Sequence, residues 1–152
     1  MPHIHEKIDF TVEVFVVYKN KVLLRLHEKY NIWLSVGGHI ELYEDPNQAA
    51  LREVKEEVGL DVKLADDLKT FTHNGDDYTE LIPPKFLNIH RINPTHQHIS
   101  LTYFATTDTD KVKPESPTDQ WKWVTKEELE KMDVMPNIKF YGKQALEELG
   151  SK

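Results

Sequence analysis

The chain contains no cysteine, which excludes disulfides, thiolate metal sites and cysteine nucleophiles together. That composition fits a reducing compartment. Long apolar runs are missing too. Stretches such as Val14 to Tyr18 are the longest, far short of the ~20 residues a membrane-spanning helix needs. Positive charge is scarce: 19 Lys and Arg stand against 26 Asp and Glu, a net charge of -7. A general polyanion binder working through a basic surface is thereby disfavoured, and no nucleic-acid partner is expected. Any anionic ligand would need a separate source of neutralisation. Met1 to Asp9 mixes His, Glu, Lys and Asp without an apolar stretch behind a basic one, so no signal peptide is expected. The expectation is a cytoplasmic protein with no membrane partner.

What is present suits a folded globule. The 152 residues, 39% of them hydrophobic, are enough for one domain of ordinary size and short for two, so 1–152 is read as a single domain. Phe10, Val12, Val14, Val16 and Tyr18 alternate through a strand from Ile8 to Tyr18, with Phe15 and Val17 added in its second half. After Lys19 to Lys21, the run Val22 to Leu26 has the spacing of a hairpin partner, although the turn lacks glycine. Asp45 as N-cap, Pro46 at the first position, Gln48 closing a capping box and Gly59 past the end predict a helix over Pro46 to Val58. Further strands are expected at Leu60 to Leu64, Phe86 to Ile92, Gln97 to Ala105 and Trp121 to Val124. A loop-rich segment is expected from Thr70 to Pro84. Thr125 with Glu128 opens a short helix, and a terminal helix runs through Phe140, Ala145, Leu146 and Leu149. This order implies a mixed α/β layered architecture.

The chemistry concentrates in Gly38 to Leu60, GHIELYEDPNQAALREVKEEVGL. On a helix Glu53, Glu56 and Glu57 stand at i, i+3 and i+4 and share a face, while Leu51, Val54 and Val58 gather on another. The expectation is a helix that packs without burying its acids. Six acids (Glu41, Glu44, Asp45, Glu53, Glu56, Glu57) face only Arg52 and Lys55 in this stretch, a local -4. Like charges at helical spacing repel, and a hard cation such as Mg²⁺, bound by carboxylates, water and substrate phosphates, would reverse that repulsion. Taken alone, the three glutamates read first as a solvated helix face, with Arg52 and Lys55 offering ion pairs.

The whole spacing says more. Gly38, five residues, Glu44, seven residues, then Arg52-Glu53-Val54-x-Glu56-Glu57-x-Gly59-Leu60 resembles the Nudix box, G-x5-E-x7-R-E-U-x-E-E-x-G-U with U aliphatic, at every specified position. Trp33 before the double glycine and Trp123 ahead of Thr-Lys-Glu-Glu-Leu are similar to the same superfamily. The resemblance implies the Nudix fold, an α/β/α arrangement with a mixed β-sheet sandwiched between α-helices. It also implies divalent-metal-dependent cleavage of a pyrophosphate bond in a nucleoside diphosphate linked to X, with an ADP-ribose-like molecule or a nucleoside triphosphate as small-molecule substrate. The expected cofactor is Mg²⁺ or Mn²⁺.

Carried over residue by residue, the resemblance makes Glu53, Glu56 and Glu57 the metal ligands, with the Gly38 carbonyl a further one. It makes Arg52 the group that orients these glutamates, and Glu44 and Gly59 structural supports of the box. Glu41 recurs in relatives as an acid near the metals. Val36 replaces the proline that many relatives carry before the double glycine, a departure that touches no ligand. Glu53 and Glu56 are candidates for the base within the box, and Glu115 or Asp119 for a base on an outside loop.

Away from the box, Trp33, Tyr78, Phe86 and Tyr103 could stack on a base, with core packing favoured for Phe86 and Tyr103 and a loop setting for Trp33 and Tyr78. His96 and His98 match no familiar zinc spacing; structural roles lead and substrate contact follows. His3 and His5 read as a solvated tail. A non-catalytic nucleotide sensor and an RNA 5′-pyrophosphohydrolase remain as alternatives. The second of these requires lysines such as Lys111 and Lys113 to cluster. A homodimer is compatible with the family.

Overall fold

The computed structural model describes residues 5–68 and 71–151. His3 and Thr70 lie outside the described residues. Strands β1 (Ile8–Tyr18), β2 (Lys21–His27), β3 (Ile32–Leu34) and β4 (Val36–His39) precede helix α1 (Pro46–Val58). Then come β5 (Lys63–Leu64), β6 (Phe86–Asn93), β7 (His96–Thr106), β8 (Trp121–Thr125), α2 (Lys126–Lys131) and α3 (Pro136–Leu149). Among the described residues the strands join into one mixed sheet. Its central pair, β1 with β7, is parallel, and every other pairing is antiparallel.

Apolar side chains of both parities along β1 follow from its place in the middle. Val12, Val14 and Val16 pack with Leu23 and Val36 against Ala49, Ala50, Val54 and Val58 of α1. Phe15 and Val17 point the other way, with Val22, Leu24 and Phe104, onto Leu129 of α2 and Ile138, Ala145 and Leu146 of α3. A strand covered on both faces loses the alternation of a half-exposed one, and the α/β/α sandwich is the result. One edge of β1 is shared. Val17 and Tyr18 pair with β2, while Thr11 to Val14 pair with β4. This places Gly37 and Gly38 beside the middle of the sheet. The β1–β2 turn manages without glycine by holding Lys19 at φ 54°.

Both capping boxes form. Asp45 accepts from the Gln48 backbone and Gln48 returns the bond, and Thr125 with Glu128 does the same. Three expectations need correction. Leu51 is 43% exposed and the α1 core face is made by Ala49, Ala50, Val54 and Val58, so Leu51 does not join Val54 and Val58. Leu60 to Leu64 is strand only at Lys63–Leu64, because Leu60 packs into the core beneath the helix end. In α3, Phe140 is exposed, and Ile138, Gly142, Ala145 and Leu146 are the buried positions.

Candidate active site

Helix α1 delivers the acidic residues, and its two ends explain their placement. The N-terminal capping box fixes the entry angle. At the other end Gly59 adopts the left-handed conformation (φ 69°) and donates to the Lys55 carbonyl. A Cβ on Gly59 would lie 2.7 Å from Cβ of Lys113, so this glycine also lets the segment before β8 close onto the helix. Lys113 N–H donates to the Val58 carbonyl at 2.8 Å and Glu115 N–H to the Glu57 carbonyl at 3.2 Å. Glu115, one of the two outside candidates for the base, is thereby brought beside the box, close enough that its charge acts on both Glu53 and Glu57.

The glutamates do not form a free acidic face. Glu53 is 2% exposed, contrary to the expectation that α1 packs without burying its acids. The reason lies in β4: a Cβ on Gly38 would stand 2.5 Å from Glu53 Oε1, so the absent side chain is what allows strand and carboxylate to meet. A Cβ on Gly37 would collide with the Val12 carbonyl oxygen. Gly37 N–H donates to Glu57 Oε1 at 2.8 Å. Glu56 is exposed.

Arg52 organises the acids. Its Nε and Nη2 donate to Glu44, the latter at 2.6 Å, while Nη1 donates to Glu53 at 2.9 Å and Glu56 at 3.1 Å. Nη2 also donates to the His39 carbonyl at 2.9 Å. Glu44 accepts from the Glu41 backbone N–H at 3.0 Å, so Glu41 joins this network through its main chain. Hydrogen bonding from Arg52 holds the Glu44 carboxyl below its usual range and in return stabilises the guanidinium charge.

Arg25 on β2 is a participant that the sequence did not single out. It pairs with Glu57, and its Nη2 lies 3.5 Å from Asp119, whose carboxylate also accepts from Ser116 N–H at 2.9 Å. Even so, burial pushes Glu57 up to about 7, outweighing Arg25 and the Gly37 N–H, which pull it down. Burial likewise raises Glu53, against the downward pull of Arg52. Five carboxylates (Glu44, Glu53, Glu56, Glu57 and Asp119) therefore share two guanidinium groups, and Glu115 adds its charge beside Glu53 and Glu57. The surplus of partly desolvated carboxylate oxygens fits a hard divalent cation, which Glu53, Glu56, Glu57 and the Gly38 carbonyl could hold.

A cleft of about 710 Å³ opens beside the double glycine. Gly37, Gly38, Glu13, His98, Asn137 and Tyr141 are among its lining residues. Glu13 was also missed by the sequence reading. It interrupts the apolar run of β1, and burial pushes its carboxyl up to about 7, opposed by a hydrogen bond with Ser35. His98 lines the cleft, and burial with His39, His90 and His96 nearby pushes it down to about 4. The remaining candidates lie elsewhere. Trp33 is on β3, not in a loop, with Lys122 Nζ 4.3 Å above its ring. Tyr78 bonds to Glu80 beyond the Gly75 to Tyr78 bridge. His96 is buried at the start of β7. Tyr103 is core, and Phe86 stacks on Tyr141 at 4.5 Å. Among the described residues no helix is long and apolar enough to cross a membrane.

Comparison with known proteins agrees with this geometry. A Nudix-family hydrolase from Clostridium perfringens is 39% identical and superposes with a TM-score of 0.82, over 93% of this chain and 97% of that one. A MutT Nudix hydrolase from Burkholderia pseudomallei, 16% identical, shares the fold with a TM-score of 0.66 over 95% of this chain and 99% of that one. The 8-oxo-dGTP diphosphatase of Proteus vulgaris is 33% identical over 76 residues, 50% of this chain and 51% of that protein. The chain thus spans about half the length of that curated relative. The NUDIX domain model matches residues 9–144, and the chain belongs to the Nudix family.

Proposed function

We propose that this chain is a divalent-metal-dependent pyrophosphohydrolase that cleaves a nucleoside diphosphate linked to X, with a nucleoside triphosphate the favoured form. The observation carrying this reading is the meeting of Glu53 and Glu57 with Gly37 and Gly38 at the edge of the cleft. A nucleoside seated in the cleft would extend its phosphates over the double glycine toward the carboxylates. Mg²⁺ or Mn²⁺ held by Glu53, Glu56, Glu57 and the Gly38 carbonyl would neutralise phosphate oxygens and activate the attacking water.

The protein's own groups supply positioning and proton transfer. Arg52 and Arg25 fix the carboxylates from either side. Glu115 is exposed, next to Glu57 and without an Arg52 bond, and is placed to accept a proton from water. Glu53 is the alternative base, restrained by its bond to Arg52. The likeness to the Proteus vulgaris diphosphatase supports a nucleoside triphosphate as substrate.

Incubating the protein with a panel of nucleoside triphosphates and nucleoside diphosphate conjugates, with and without Mg²⁺, and resolving products by mass tests the reading. Mg²⁺-dependent release of a nucleoside monophosphate is expected, with a fall of at least ~100-fold in kcat for Glu57→Gln. Nucleotide binding without turnover across the panel would overturn it.

A further inference from the structure

The sheet face that carries α3 changes character along β1 and β7. Phe15 and Val17, with Phe104, belong to the apolar core under α3. Toward the starts of both strands the same face is made by Thr11 and Glu13 of β1 and by Ser100 and Thr102, their register partners on β7. Thr11, Glu13 and Ser100 line the cleft, so its floor is polar. Its walls are mostly apolar, with Ile32 and Leu34 of β3 and Ile138 and Tyr141 of α3 among them. Across to β4 the partner of Glu13 is Gly37, which sets no side chain beside it.

Two neighbouring atoms of this face are left unsatisfied. Glu13 Oε1 and Thr102 Oγ1 are buried, and neither has a hydrogen-bond partner among the described residues. Ser35, also on the cleft wall, bonds to the Glu13 carboxyl and satisfies it in part. Buried polar atoms without partners are rare in folded proteins, and here they adjoin a cleft. The terminal torsion of a glutamate is soft, so turning about it presents the unpartnered oxygen to a ligand while β1 stays in place. A slot with apolar walls over a polar floor suits a flat nucleobase better than a ribose, whose hydroxyls those walls would strand.

What a carboxylate can take from a base is an N–H. Guanine, adenine and cytosine each carry an exocyclic amine on the pairing edge. Uracil and thymine offer one ring N–H between two carbonyl oxygens, and both of those oxygens repel a carboxylate. Given a nucleoside seated in the cleft, on which this rests, we propose that Glu13 selects the base: it accepts from the exocyclic amine of guanine, adenine or cytosine and excludes uracil and thymine. Ser35 holds the carboxyl in place for that contact. The reacting phosphates lie toward the α1 side of the sheet, so Glu13 decides which nucleotide enters and takes no part in the cleavage.

The test is calorimetric binding of the α,β-methylene diphosphates of guanosine, adenosine, cytidine and uridine, which resist cleavage between the α and β phosphates. The full chain and its Glu13→Gln variant are compared in excess Mg²⁺ at pH 8, above the Glu13 value. The three amine-bearing nucleotides are expected to bind the wild type at least ~10-fold more tightly than the uridine one. In Glu13→Gln, whose amide both donates and accepts, that ratio should fall to within about threefold. Damage to the fold would move all four affinities alike and leave the ratio standing. Equal affinities in the wild type, no saturable binding of any of the four, or a ratio kept in Glu13→Gln would each overturn the assignment. Turnover of the four triphosphates, measured in parallel, separates it from the hydrolase reading: cleavage without base preference removes the role of Glu13 alone, and base-selective binding without cleavage removes the hydrolase alone.

Discussion

Glu13 is the residue whose charge state costs the fold most visibly. It sits on β1 between Val12 and Val14, both in the core, and its Oε1 has no hydrogen-bond partner among the described residues. Burial raises its carboxyl from 4.5 to about 7. Between those values the folded chain holds a proton that the unfolded chain has released, so the unfolded state binds fewer protons and stability falls as pH rises. The contribution is intact below about pH 4.5 and fully lost above about pH 7, a loss of roughly 3 kcal/mol at 1.36 kcal/mol per unit. Glu13→Gln is expected to exceed the wild type in stability by up to that amount at pH 8 and to approach it at pH 4.5. Urea unfolding of both proteins at the two pH values checks this; a constant difference between them would mean that Glu13 titrates alike in both states.

At the scale of elements, α1 was the most legible part of the chain and also the part whose role was least complete in sequence. Its caps are local, so Asp45, Gln48 and Gly59 could be read directly. What its faces touch is decided by other elements. Gly38 on β4 buries Glu53, and Arg25, 32 residues before Glu57, became its partner only because β2 and β4 both pair with β1 in the sheet. The two ends of α1 should respond differently to substitution. Asp45→Ala removes the cap at the opposite end of α1 from Glu56 and Glu57 and is expected to cost about 1 kcal/mol with kcat nearly unchanged. Gly59→Ala combines a left-handed backbone with a Cβ against Lys113. It should cost more than ~1 kcal/mol and also displace the backbone carrying Glu115, lowering kcat at least ~10-fold. Unfolding curves and steady-state kinetics on the same preparations distinguish the two; equal loss of kcat in both variants would argue that Glu115 plays no part.

For the whole molecule, the sandwich divides the labour between its two faces. The order of elements and the box spacing made the architecture readable, since apolar periodicity and turn residues act locally. The cleft was not readable, because Glu13, His98 and Asn137 come from β1, β7 and α3 and meet only through the parallel β1–β7 pairing and the packing of α3 across it. Carboxylates and arginines converge on the α1 side. The far wall of the cleft, with Asn137 and Tyr141, comes from the helix on the opposite face. Groups on that wall can touch the nucleoside without touching the phosphates, so their contacts change little between ground state and transition state, and losing one should weaken binding without slowing chemistry. Asn137→Ala is therefore expected to raise KM by ~5- to 50-fold while kcat stays within about twofold, the reverse of Glu57→Gln. Saturation kinetics on the substrate that the product assay identifies decides it: a fall in kcat at constant KM would place Asn137 with the reacting phosphates and move the nucleoside to another part of the surface.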